Sequence, residues 1–248
     1  AFRNLYGLSI RPGRCTPVFA GETAVFSLLI DNPASRRRPA LRLGAQGQWS
    51  AFDLPAAEET AVALACPALR RGRLALGRSV LETRWPLGLI RAWSVFVPKA
   101  DCLVLPTPEP DPPPLPPAGG DATGASRDAR TGDEDFAGLR AHRSADSPRH
   151  VAWKAVARGG PMLTKEFAAG EGRELLLDWD RLPAGLDAER RLSRLTAWVL
   201  AAEREGRRYA LALPGIRIAA ATGRAHRERC LRLLALHGLP DPTAEDGA

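Results

Sequence analysis

The chain has 248 residues, 45% of them apolar and 25% charged, enough for one large domain or two ordinary ones with a buried core. Its 22 Pro and 23 Gly follow no period, which excludes collagen. The formal net charge of +7 rests mainly on Arg, with Lys at 99, 154 and 165; it is not gathered into a basic helix, so nucleic acid is not the expected partner, and an anionic membrane surface accounts for the charge at least as well.

Residues 14–104 read as strands. Pro17-Val-Phe-Ala-Gly-Glu22 opens on a turn, Thr23 to Ile30 is an apolar run of strand length, and Asp31-Asn32-Pro33 ends it. Leu41-Arg-Leu43 and Thr60 to Cys66 alternate as half-buried strands do. Gly72 to Arg84, Val95-Phe-Val97 and Leu103-Val-Leu105 complete the set, and short strands with polar turns predict a small β-sandwich over 1–105. Arg70-Arg71-Gly72 stands out within it. So does Trp85-Pro-Leu-Gly-Leu-Ile-Arg91, where Pro86 and Gly88 are expected to shape a bend while Trp85, Leu87 and Ile90 fill the end of the sandwich; a binding loop is the other reading.

Residues 106–135 hold a Pro-rich tract and then Gly119-Gly120 with small polar residues, and read as a linker. Beyond it the periodicity changes. Val151 to Arg158 is expected to form a short helix, Met162 to Phe167 a strand, and Glu174 to Asp178 a strand that ends in acid. Asp187 to Gly206 reads as a helix with Leu192, Leu195, Thr196, Val199 and Leu200 on one face. Tyr209 to Leu213 and Ile216-Arg-Ile218-Ala are strands joined by Pro214-Gly215, and Arg224 to His237 is a last helix stopped by Gly238. The order strand, helix, strand, strand, helix predicts a small three-layer α/β domain over 136–238, with 239–248 a flexible tail. The expected class is therefore mixed, an all-β sandwich followed by a small α/β domain.

Cys15, Cys66, Cys102 and Cys230 form no Cys-x-x-Cys pair and have no close His, which is no zinc pattern and fits a reducing compartment. No run of about 18 apolar residues exists for a membrane-spanning helix. The chain starts without Met at Ala1-Phe2-Arg3, as a soluble piece of a longer protein would. It has no nucleophile elbow, no phosphate loop and no dinucleotide fingerprint, so no catalytic residue and no cofactor is expected.

The densest grouping of chemistry lies between Phe136 and Phe167. It comprises Phe136, Leu139-Arg140, Asp146 with Arg149, Trp153-Lys154, Ala157-Arg158 and Lys165-Glu166-Phe167. This pattern resembles bacterial domain-of-unknown-function family fifty-eight, and departs from it at His142, where that family usually has Tyr, and at Ala145, where Gly usually precedes the Asp. Phe19-Ala-Gly-Glu22, Asn32, Arg71-Gly72 and Pro86-Leu-Gly88-Leu89 extend the resemblance to the front half. It implies a last region similar to a truncated von Willebrand factor A domain, and a protein held in the inner membrane by helices that precede this chain, its soluble portion facing the cytoplasm. It further implies a non-catalytic accessory or scaffold role beside a MoxR-type AAA+ ATPase, in assembly or maturation of a cell-envelope complex. An A domain that holds magnesium needs an acid and two hydroxyls in its first loop. Asp178-Trp-Asp180-Arg181-Leu182 offers no hydroxyl, so no metal is expected and Asp178 or Asp180 is read as the partner of a nearby Arg.

The signature has two readings. Arg140, Arg149, Lys154 and Arg158 could converge on an anion or peptide, since guanidinium forks grip carboxylate and phosphate. Alternatively Arg140 or Arg149 pairs internally with Asp146, Glu166 or Asp178, and Trp153 packs over the junction of linker and domain; Lys165 is part of the signature under either reading. An uncharacterised hydrolase built on His142, His150 and Asp146 is the remaining alternative.

Overall fold

The computed structural model describes residues 2–117, 136–141, 163–167 and 174–240, the second and third of these by backbone alone. The mixed class is what the chain folds into: a β-sandwich, then a small α/β part.

The sandwich is built by strands β1 (Ser9–Pro12), β2 (Val18–Phe19), β3 (Thr23–Asn32), β4 (Arg38–Ala45), β5 (Gln48–Leu54), β6 (Glu58–Pro67), β7 (Gly72–Ala75), β8 (Ser79–Thr83), β9 (Ala92–Phe96) and β10 (Asp101–Leu105). They form sheets in the orders β1-β3-β6, β2-β10-β7 and β5-β4-β8-β9. Alternation decides which side is inside. In β3, Ala24, Phe26, Leu28 and Ile30 point into the core, and in β6 their cross-strand partners Cys66, Leu64 and Val62 do the same. Leu41, Leu43 and Ala45 of β4 and Leu81 of β8 close the core from the other sheet.

Two motifs carried by the resemblance have local physical reasons. In Phe19-Ala-Gly-Glu22 the Phe19 amide donates to the Glu22 carboxylate at 2.8 Å, and Gly21 takes φ +95°, a backbone that favours glycine. Asn32 is fully buried. Its amide donates to the carbonyls of Arg36 and Pro55, and its Oδ1 accepts from Arg38 Nε at 2.7 Å. Arg38, also buried, spends its Nη1 on the carbonyls of Asn4 and Tyr6. This pairs the Nε and Nη1 donors of a guanidinium largely removed from water, where burial of a charge requires partners. Burial and then the neighbouring Arg36 charge lower its pKa.

Strands β11 (Phe136–Ala141) and β12 (Leu163–Phe167) pair antiparallel. Strand β13 (Leu175–Asp178), helix α1 (Ala188–Arg204), strands β14 (Tyr209–Leu213) and β15 (Ile216–Ala221) and helix α2 (Arg224–Leu236) follow, in the strand–helix–strand–strand–helix order expected. β13 and β14 are parallel, with α1 the connection between them, and β14 and β15 form a hairpin whose turn uses Gly215 at φ +77°. Asp187 caps α1, its Oδ1 accepting the Arg190 amide at 2.8 Å. The helix ends at Gly206, φ +64°, where the Arg207 amide donates to the Ala202 carbonyl and the Gly206 amide to that of Glu203, the Schellman arrangement. No helix among the described residues is long and apolar enough to cross a membrane.

Packing divides the chain into two compact units, each assembled from separate stretches. One contains Ala1–Pro112, Leu182–Val199 and Arg224–Ala248; the other contains Pro113–Arg181 and Leu200–Gly223. Within the first, α2 packs on β10 and β7, and Arg71 ties the sandwich to both helices. Its Nε and Nη2 bind the Glu189 carboxylate at 2.9 Å, and its Nη1 donates to the carbonyls of Ala235 and His237 at 3.0 and 2.8 Å. Those carbonyls end α2 and have no partner within the helix. Gly72 follows with φ +114°, and a Cβ there would stand 2.7 Å from the Leu239 side chain. The Arg71-Gly72 pair is thus a structural joint. Just after the sandwich, Glu109 grips Arg194 through two hydrogen bonds, at 2.8 and 2.9 Å, and the Ser193 hydroxyl donates to the Thr107 carbonyl. The Arg194 hydrogen bond holds the Glu109 carboxyl below its usual pKa.

Candidate interaction surface

The sequence signature is represented in the described residues by its two ends. Leu139 lies opposite Lys165, Arg140 opposite Thr164, and Gly138 opposite Glu166, with a bulge between Phe136 and Gly138. Asp146, Arg149, Trp153, Lys154 and Arg158 lie outside the described residues, as does the helix expected over Val151 to Arg158. The hairpin register therefore brings the Arg140 and Lys165-Glu166 segments side by side.

At the end of β13, Asp178 sits 3.6 Å from the Arg181 guanidinium and accepts the Asp180 amide at 3.0 Å. The loop is thus an acid closed by its own arginine and by backbone. Leu182, in the place where a metal-binding loop would offer a hydroxyl, is buried. Among the described residues no three His, Cys, Asp or Glu gather as metal ligands. Burial first, and then a hydrogen bond with Cys102, push the Cys15 thiol up to about 12, which keeps it protonated and a poor nucleophile.

A different part of the molecule presents the surface chemistry. On sheet β5-β4-β8-β9 the register places Trp49 opposite Gly44, Arg42 opposite Glu82, and Glu82 opposite Trp93. These positions fall on the side of the sheet away from the core. Trp49 lies flat over Gly44, so close that a Cβ there would come within 2.6 Å of the ring. The Arg42 guanidinium stands 4.7 Å from the Trp49 ring centroid, and the Arg91 guanidinium 5.1 Å from that of Trp93. Glu82 lies between the two arginines, at 3.3 Å from Arg42 and 2.7 Å from Arg91, and is itself buried. The result is a ladder Trp49–Arg42–Glu82–Arg91–Trp93, in which each side chain is fixed by the next. Beside it a cleft of about 640 Å³ is lined by Arg42, Asp53, Glu82 and Trp85 among others.

The loop from Arg84 to Arg91 corrects the expectation that its apolar residues fill the sandwich end. Trp85 is 48% exposed, Leu87 78%, Leu89 84% and Ile90 72%. That end is already closed by a polar network. Thr83 Oγ1 donates to the Ala40 carbonyl and accepts the Trp85 amide, while Asn4 Nδ2 donates to Thr83 and to the Pro39 carbonyl. Those pairings hold the polar groups at the foot of the loop. The loop instead closes on itself, the Gly88 amide donating to the Arg84 carbonyl at 2.8 Å, with Gly88 at φ +73°. Sequence reasoning noticed the loop but not the ladder. The usable signal was the absence of any carboxylate between Thr83 and Ala100, in a stretch holding two Trp, two Leu and three cations.

No protein-family model matches the chain, and no curated protein matches it. Among solved structures the chain is similar to the crystal structure of a CARDB domain of a Pyrococcus furiosus protein in complex with di-metal ions. The two are 15% identical over 39% of this chain and 91% of that chain, with a TM-score of 0.26.

Proposed function

We propose that this chain is a non-catalytic interaction module, the soluble part of a membrane-anchored scaffold that works with a MoxR-type AAA+ ATPase in assembling or maturing a cell-envelope complex. The observation that carries the interaction role is the ladder on the outer sheet face. Two Trp and two Arg, the residue types that dominate binding hot spots, are held in place there before any partner arrives. A scaffold needs such a pre-organised face more than it needs a reactive group. The motifs shared with family fifty-eight, Phe19-Ala-Gly-Glu22, Asn32, Arg71-Gly72, Arg140 and Lys165-Glu166-Phe167, support the choice of partner and the anchored location.

The test is titration calorimetry of this protein with a MoxR-type ATPase, with and without ATP. Saturable binding that weakens at least tenfold in Trp93→Ala is expected. No heat under either condition, or undiminished affinity in the variant, overturns the proposal.

A further inference from the structure

We propose that the loop between β8 and β9 is a docking tip for an anionic lipid surface, into which Leu87, Leu89 and Ile90 insert. All eight residues from Arg84 to Arg91 are exposed, and the apolar ones are consecutive except for Pro86 and Gly88. Soluble proteins rarely present so continuous an apolar tip unless something covers it. Three features favour a lipid surface as its occupant.

Charge is the first. Between Thr83 and Ala100 the chain carries Arg84, Arg91 and Lys99 and no carboxylate. Glu82, the acid at the base of the loop, is buried and held by both Arg42 and Arg91, so its charge is matched before the tip meets any surface. A layer of phosphate headgroups complements such a set without demanding one register. The second feature is the order of side chains. Arg84 and Trp85 stand at one foot of the loop and Arg91 at the other, with the aliphatic residues between them. Indole and guanidinium groups suit the headgroup level, and aliphatic groups suit the acyl boundary beneath it. Shape is the third. The Gly88–Arg84 hydrogen bond folds the loop into a single tight turn, which gives a point of insertion. This inference shares Arg91 with the sheet face that carries the proposed function, but it is tested at Leu87 and Leu89 and that reading at Trp93, so either can fail alone.

The experiment is flotation of the protein with vesicles of phosphatidylcholine, with or without about a third of phosphatidylglycerol. Wild type is expected to float with the anionic vesicles at least tenfold more than with the neutral ones. Leu87→Asn with Leu89→Asn removes the apolar tip and keeps the charge; it is expected to cut flotation at least tenfold while melting at the wild-type temperature, since both side chains are exposed. A second measurement places an environment-sensitive dye on Leu89→Cys, whose emission is expected to shift to the blue on anionic vesicles. Wild type left unbound, a double variant that floats as well as wild type, or a dye that does not shift overturns the proposal. The first of these assigns the tip to a protein partner instead.

Discussion

His237 shows how a single residue reports the fold around it. Burial, and then the Arg71 charge, lower its pKa from the ordinary 6.5, so the folded protein disfavours the imidazolium. The same Arg71 binds the His237 carbonyl at 2.8 Å, so the charge that opposes protonation is fixed in place by the backbone of the residue it acts on. The sign of the pH effect follows. The unfolded chain takes up the proton first, so this contribution to stability is whole above the ordinary value of 6.5 and is lost as pH falls through it toward the lower folded value. Lowering the pH from about 7.5 to about 5.5 is expected to lower the melting temperature of wild type more than that of His237→Asn. Equal falls in the two proteins would show that His237 does not carry the effect. Carboxylates such as Glu109, whose pKa is lowered by Arg194, lose their contribution only at more acid pH and do so equally in both.

At the scale of elements, the outer sheet face depends on a glycine. Trp49 lies on Gly44, and a methyl group there would need the ring to move, since the Cβ would be 2.6 Å from it. Gly44→Ala is expected to lift the indole, weaken its contact with Arg42 and cost about 1–2 kcal/mol of stability by overpacking. Denaturant unfolding of the variant, with near-ultraviolet circular dichroism as a second probe of the Trp environment, checks it. An unchanged midpoint and spectrum would mean that Trp49 is not seated as described. Gly44 drew no attention in the sequence because a strand glycine carries no pattern, and its reason is a ring from a neighbouring strand. Other elements were legible because their cause is local. The alternation of β6, the apolar run of β3, the Asp187 cap and Gly206 stop of α1, and the Pro214-Gly215 turn all lie within a few residues of what they determine. The loop at 85–90 was misjudged for the opposite reason. Its hydrophobicity is local, but how the chain leaves the sandwich there depends on pairings with distant groups, Asn4 and the Pro39 and Ala40 carbonyls.

For the molecule as a whole, the long-range ties of the first compact unit matter most. Arg71 reaches Glu189 and the end of α2, and Glu109 reaches Arg194, across separations in sequence that no periodicity encodes. The sandwich therefore does not stand free of the helices. The strength of this coupling can be read from Arg71 alone. Its side chain is 10% exposed whereas that of Glu189 is 68% exposed, so the ion pair itself contributes little, and most of the interaction lies in the α2 carbonyls that Arg71 satisfies. In the full chain Arg71→Ala is expected to cost about 3 kcal/mol, Glu189→Gln less than about 1 kcal/mol, and Arg71→Lys nearly as much as the alanine, because an ammonium cannot span the carboxylate and two carbonyls at once. In a fragment of residues 1–105 those partners are absent. There Arg71→Ala should change nothing, and the fragment should unfold at lower denaturant than the intact protein. The four unfolding curves form a cycle whose difference isolates the coupling between the sandwich and the helices. If Arg71→Ala costs the same in fragment and full chain, Arg71 acts within the sandwich and the coupling must run through Glu109 and Ser193 instead.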